Sequence, residues 1–166
     1  MLRQQDRFDV PLTAMADGIV RAEWPGRLQK LGAGPLTDLL PDGSELWIDG
    51  GHNAAAARLV ADYVREAFTG LPLVLLFASL VTKEPRAMLR PFQGLVRDVH
   101  TLPIPAHDHR KPEDLSALAR ELGFESTSNS GLEQALGRIT RPSRVLIFGS
   151  LYLAGEALKA NGEIPG

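Results

Sequence analysis

Glu45–Asn53, ELWIDGGHN, followed by the four alanines Ala54–Ala57, decides how this chain is read. Leu46, Trp47 and Ile48 form a short apolar run of strand character, Asn53 is a good helix N-cap, and the alanines open a helix. A strand that turns so quickly into a helix is half of a βα unit. In parallel α/β folds, ligands bind outside the strand's carboxyl end, because backbone N–H groups and the positive helix end converge there. The chemistry is therefore sought first at Asp49, Gly50, Gly51 and His52.

The same rhythm extends outward from this unit. The helix runs from Ala54 to about Phe68, with Ala56, Leu59, Val60, Tyr63, Val64 and Ala67 on one face, and stops at Gly70. Leu73–Ala78 is a continuous apolar run, as expected of a strand buried on both faces, and Pro85–Arg90 a short helix with proline in its first turn. Asp98–Leu102 reads as a third strand, Pro103–Lys111 as a polar loop, and Pro112–Leu122 as an amphipathic helix with Leu115, Leu118, Ala119 and Leu122 inward and Gly123 as its stop. Phe124–Ser126 adds a minor strand, Leu132–Ile139 a helix, Arg144–Phe148 a buried strand, and Tyr152–Ala160 the last helix, opened by Gly149 and Ser150. Upstream, Arg27–Leu31 suits a short strand and Gly32–Ser44 a loop; Met1–Glu23 carries at most a short helix around Leu12–Val20 and is bounded by Pro25. Strands alternating with helices pair in parallel through right-handed crossovers. The fold class is α/β: one mostly parallel, Rossmann-like sheet with helices on both faces.

Composition narrows the function. A chain of 166 residues, 44% hydrophobic and 23% charged, can bury one core and reads as one domain. A net charge of -2 supplies no broad basic field, so binding driven by nucleic-acid phosphates is not expected. The longest apolar run, Leu71–Val81, is broken by Pro72 and Ser79 and is too short for a bilayer, and MLRQQDRFDV at the N-terminus has no signal-peptide core. No membrane partner and a cytoplasmic location are the default expectations. The absence of cysteine excludes disulfides, thiolate zinc sites and a cysteine nucleophile.

No GxGxxG follows a strand and no GxxxxGK[ST] occurs, so a dinucleotide fingerprint and a P-loop are both lacking. Asp49 and His52 can be a turn cap and a solvent-facing loop residue, or they can serve a ligand. The second reading draws on Gly50 and Gly51, which allow unusual backbone and close approach, and on the helix N-terminus aimed at the same spot. Ser150 can be a helix cap or part of a carboxylate-binding helix end. His107 and His109 have the H-x-H spacing that offers two imidazoles to a metal on a strand, but Pro103–Ala106 argues for a loop; with His100 they read as solvated loop histidines, and no metal ligands are assigned. Arg120, Arg138, Arg141 and Arg144 lack interleaved aromatics and read as a solvated face.

Four motifs occur together and in order: WPGRLQ at Trp24–Gln29, IDGGHNAAAA at Ile48–Ala57, Thr82-Lys83-Glu84 after the apolar strand, and FGSLYLAGEAL at Phe148–Leu158. In this order and spacing the chain resembles, from about Gly18 onward, the C-terminal domain of bacterial folylpolyglutamate synthase/dihydrofolate synthase, a family similar to the Mur ligases. The resemblance implies an enzyme in which ATP activates a carboxylate as an acyl phosphate and the amino group of L-glutamate attacks it. It also implies that residues 1–23 are a linker from a missing N-terminal domain, that residues 24–166 are the glutamate-ligase domain, and that the P-loop, most of the Mg2+ coordination and the folate or dihydropteroate pocket belong to that missing domain. Carried onto this sequence, Arg27 and Asp49 bind ATP, His52 is the catalytic candidate near the glutamate or the transferring phosphate, and Lys83 and Ser150 join His52 on the glutamate side. Many relatives carry Asp-Lys-Asp where this chain has Thr82-Lys83-Glu84, and proline where it has Ala54. The alternative from another class is a stand-alone nucleotide- or amino-acid-binding module without catalysis.

Overall fold

The computed structural model describes residues 26–163. The expected helix at Leu12–Val20, and Trp24 and Pro25 of the first motif, lie outside the described residues. The strands are β1 (Gln29–Lys30), β2 (Glu45–Asp49), β3 (Leu73–Phe77), β4 (Asp98–Thr101), β5 (Glu125–Ser128) and β6 (Arg144–Phe148). The α-helices are α1 (Ala54–Ala67), α2 (Pro85–Leu89), α3 (Pro112–Glu121), α4 (Leu132–Leu136) and α5 (Leu151–Ala160).

The strands form one six-stranded sheet in the order β1-β2-β6-β3-β4-β5. Only β1, paired with β2, is antiparallel; every other pairing is parallel. All five residues of β3 are buried, and four of the five in β6, because both strands are central and covered on both sides. Alternate side chains feed two cores. On one face Ile48, Leu76 and Ile147 pack with Leu136 of α4 and Leu153, Ala157 and Leu158 of α5. On the other, Leu75, Phe77, Leu146 and Phe148 pack with Val60 and Val64 of α1, Met88 of α2 and Leu115 of α3.

The path from β2 through α1 to β3 leaves a gap in the sheet that β6 fills at the end of the chain. The helices that follow the neighbours β2 and β6 therefore cover opposite faces. This reversal of connection opens a crevice at the strands' carboxyl ends, the usual ligand position in such sheets.

Three sequence expectations shift in detail. Arg27 lies in a turn and the first strand is confined to Gln29–Lys30, since only those residues pair with β2. The buried face of α1 is Ala57, Val60, Ala61 and Val64, whereas Leu59 is 73% exposed and Tyr63 43%. An alanine-rich start gives the periodicity no apolar contrast, and the reading slipped by one position. Arg144 is not on a solvated face: it lies half-buried in β6, with its guanidinium 4.5 Å from the Phe68 ring centroid and its Nε donating to Glu45.

Candidate functional site

The carboxyl ends of β2, β3 and β6 bring together the loops that carry the sequence candidates. Asp49 is the last residue of β2 and is 5% exposed. Its Oδ2 accepts from the Leu28 N–H at 3.0 Å and its Oδ1 from the Gly51 N–H at 2.6 Å. Each carboxylate oxygen thus satisfies one backbone amide. The carboxylate also fixes two segments at once. Leu28 has φ +40, a conformation that costs a branched side chain about 1 kcal/mol, and the Asp49 bond together with the Gly50 N–H to Gly26 O bond at 2.7 Å holds it there. The turn that carries the exposed Arg27 is thereby clamped to the strand end.

Gly50 and Gly51 do not adopt the left-handed backbone that the sequence reading allowed them. Their small size serves packing instead: a Cβ on Gly51 would stand 2.7 Å from Phe148, and one on Gly50 2.7 Å from Leu151. Gly149 is the residue that needs positive φ, at +110, and a Cβ there would meet the Ala78 carbonyl oxygen at 2.2 Å. These contacts draw the β2, β3 and β6 loops into one cluster.

His52 is half-buried between the Gly-Gly turn and α1. Its Nδ1 lies 3.1 Å from the Gly50 carbonyl oxygen, which can only accept. A hydrogen bond there requires the proton on Nδ1, which leaves Nε2 as the ring nitrogen not used by Gly50. Asn53 caps α1 as expected, its side chain accepting from the Ala56 N–H at 2.9 Å.

Ser150 is 2% exposed, and its Oγ accepts from the Tyr152 and Leu153 N–H groups at the start of α5. Of the two readings open for Ser150, the helix cap is the one in place. Lys83 sits in the turn after β3, half-buried, with its N–H bonded to the Leu80 carbonyl at 3.1 Å. Among the described residues it has no carboxylate within ion-pair distance.

Arg110 was not read from the sequence, and His107, read as a solvated loop histidine, has a partner on another element. His107 stacks on Tyr152, ring centroids 3.7 Å apart, so the loop after β4 folds over the start of α5. Arg110, in the same loop, donates from its backbone to Ser79 O at 2.8 Å and from Nη2 to the carbonyls of Val81 and Lys83. The available signal was position: Pro112 marks the start of α3, so residues just before it lie at the carboxyl end of β4. His100, grouped with these histidines by sequence, is instead on β4; burial, and secondarily Arg138, push its pKa below the ordinary value against the opposing pull of Asp98. Among the described residues no three His, Cys, Asp or Glu side chains cluster as a metal site.

A concavity of about 870 Å³ opens elsewhere, among Leu73, Arg97, Asp98, His100, Arg138 and Ser143 near the strands' amino ends. Volume alone does not make it the chemical site; the clamped turn, the fixed imidazole and the free lysine all belong to the carboxyl ends.

No family model matches the chain. The Saccharomyces cerevisiae dihydrofolate synthetase is 26% identical over 179 residues, covering 98% of this chain and 41% of the yeast protein. The Bacillus subtilis dihydrofolate synthase/folylpolyglutamate synthase is 24% identical over 155 residues, covering 88% of this chain and 32% of its own length. This chain is similar to the folylpolyglutamate and dihydrofolate synthases. It spans less than half the length of those two relatives. The solved structure of Mycobacterium tuberculosis folylpolyglutamate synthase, complexed with ADP and AMPPCP, superposes with a TM-score of 0.76 at 19% identity, over 95% of this chain and 36% of that one. The mostly parallel sheet with helices on both faces is thus the fold of these synthases.

Proposed function

We propose that this chain is the C-terminal, glutamate-adding part of an ATP-dependent amide ligase of the folylpolyglutamate synthase/dihydrofolate synthase type. The reaction joins L-glutamate to dihydropteroate, to folates, or to both, through an acyl phosphate. The observation that carries this reading is the meeting of the WPGR, DGGHN, TKE and GSLY motifs' described residues at one crevice, in a chain related to those synthases over nearly its whole length.

In this reading Arg27, exposed on a clamped turn, meets the nucleotide, and Asp49 acts mainly through the backbone it holds. At 5% exposure, with an amide on each carboxylate oxygen, Asp49 offers little open surface for a direct ribose contact, although each oxygen keeps a lone pair. His52 presents Nε2 toward the reacting groups, where a lone pair can orient the attacking amine of glutamate. Lys83 supplies a point charge for a glutamate carboxylate. Ser150 sets the position of α5, leaving its hydroxyl proton free to donate. Together these groups bind and orient, and closing this part over the nucleotide would exclude water from the acyl phosphate. Magnesium accompanies the nucleotide and would be held mainly by the N-terminal domain; among the described residues no three His, Cys, Asp or Glu side chains gather to hold it. The remaining phosphate apparatus and the folate pocket would come from an N-terminal domain, which this chain needs for turnover.

The test is an amide NMR titration with Mg-ATP, followed by addition of a relative's nucleotide-binding domain in trans and an assay of phosphate release that depends on both L-glutamate and dihydropteroate. Shifts centred on Arg27 and Gly50–Asn53, and release that vanishes in His52→Ala, are expected. Substrate-dependent release that persists undiminished in His52→Ala and Lys83→Ala would remove these residues from the reaction. A chain that binds nucleotide equally well but never supports release would favour the stand-alone binding module.

A further inference from the structure

L-Glutamate carries two carboxylates, and Lys83 can answer only one of them. We propose that Arg110 is the second carboxylate-binding residue, and that Lys83 and Arg110 form a preassembled pair of cations on two loops latched to each other. The proposal rests on the glutamate-ligase reading above and adds a residue that none of the four motifs contains.

The latch is continuous. Leu80 and His109 form an antiparallel bridge, the Arg110 N–H donates to Ser79 O at 2.8 Å, and the Val81 N–H donates to Asp108 O at 3.3 Å. The loop after β3 and the loop after β4 thus behave as a short two-stranded ribbon at the carboxyl end of the sheet. The Arg110 side chain then closes over the lysine turn, with Nη2 donating to Val81 O at 3.2 Å and to Lys83 O at 3.4 Å. Those bonds turn the guanidinium's positive charge onto two carbonyl oxygens that would otherwise repel an arriving carboxylate.

The guanidinium is left under-satisfied. Nε is enclosed with no hydrogen-bond partner, and Nη1 has none among the described residues. Arg110 forms no ion pair among the described residues, although Asp108 and Glu84 lie on the same two loops. An arginine held by its own loop, with Nη1 unused and no acidic partner among the described residues, can offer N–H groups to a carboxylate from outside the chain. The planar guanidinium gives those bonds a direction, whereas the Lys83 ammonium contributes charge without direction. Together they select a molecule with two carboxylates and orient its amine.

The experiment titrates the chain, saturated with Mg-ATP, with L-glutamate while following the Arg110 side-chain and Lys83 amide signals by NMR. L-Glutamine, which lacks the side-chain carboxylate, and 4-aminobutyrate, which lacks the α-carboxylate, serve as controls. The expected result is that Arg110 shifts with L-glutamate and with only one of the two controls, and that Arg110→Gln weakens L-glutamate about tenfold or more. The Mg-ATP shifts at Arg27 and Gly50–Asn53 should be unchanged in that variant, which shows that the fold survives. Arg110→Lys restores charge but not the guanidinium geometry, and should recover only part of the affinity. Unchanged glutamate affinity in Arg110→Gln, with loss in Lys83→Gln, would overturn the role of Arg110 and leave the ligase reading intact. No response of the wild-type chain to L-glutamate at tens of millimolar would overturn the preassembled pair, while the phosphate-release assay with the added domain judges the ligase reading separately.

Discussion

At Asp49 the fold shows a structural role beside the nucleotide contact expected of it. The sequence placed a carboxylate at a strand end beside a Gly-Gly turn, which suits a ribose; the fold gives its oxygens to the Leu28 and Gly51 amides. Asp49→Asn turns an acceptor into a donor facing an N–H, so one bond is lost and a buried amide is left unpaired. A loss of about 1–3 kcal/mol of stability is expected, read by chemical denaturation, with faster amide exchange at Leu28 and Gly51 than elsewhere. A variant as stable as wild type would show that the clamp contributes nothing. Gly149 gives the complementary case: Gly149→Ala pushes a Cβ against the Ala78 carbonyl and should cost at least about 3 kcal/mol, measured as a fall in the denaturation midpoint. Neither effect could be read from sequence, because the Leu28 and Ala78 partners are brought close only by the folded backbone.

At the scale of elements, most strands and helices were legible. The β2-to-α1 turn, the continuous apolar runs of β3 and β6 and the proline-led α3 each carry a local signal that nothing in the tertiary structure opposes. Faces and ends were less legible. Helix α1 buries Val60 and exposes Leu59, so Leu59→Lys should change stability by no more than about 0.5 kcal/mol while Val60→Ala costs about 1–2 kcal/mol; thermal melts of the two decide it. The sequence reading, which put both inward, requires similar losses. Strand β5 extends to Ser128, beyond the expected Ser126, because pairing with β4 carries its polar residues along. Ser150→Ala should lower the melting free energy by about 1 kcal/mol through the lost cap of α5, and a larger effect on L-glutamate affinity than on stability would restore a direct role for the hydroxyl.

At the scale of the whole molecule, a small polar cluster ties together the edge of the sheet. Glu45 at the start of β2 pairs with Lys30 of β1 at 2.8 Å and with Arg144 of β6, beneath Phe68 from the end of α1. The Lys30 and Arg144 bonds hold the Glu45 carboxyl well below its ordinary value of 4.5, at about 2. A group depressed on folding adds stability that is fully present above the unfolded pKa and disappears as pH falls toward the folded one. Glu45→Gln should therefore cost about 1–2 kcal/mol at pH 7, after allowance for solvent screening, and the gap to wild type should close between pH 5 and 2; an undiminished gap at pH 2 would place the loss elsewhere. The sequence by itself determined the α/β class and the order of the βα units, since these depend on local periodicity, caps and turn residues. Only the tertiary structure decided that β6 inserts between β2 and β3, that Asp49 holds the turn that carries Arg27, and that Arg110 reaches the carbonyls around Lys83. The physical reason is that strand order, buried hydrogen bonds and cross-loop contacts join residues far apart in the chain, and no local pattern encodes which of many distant partners will meet.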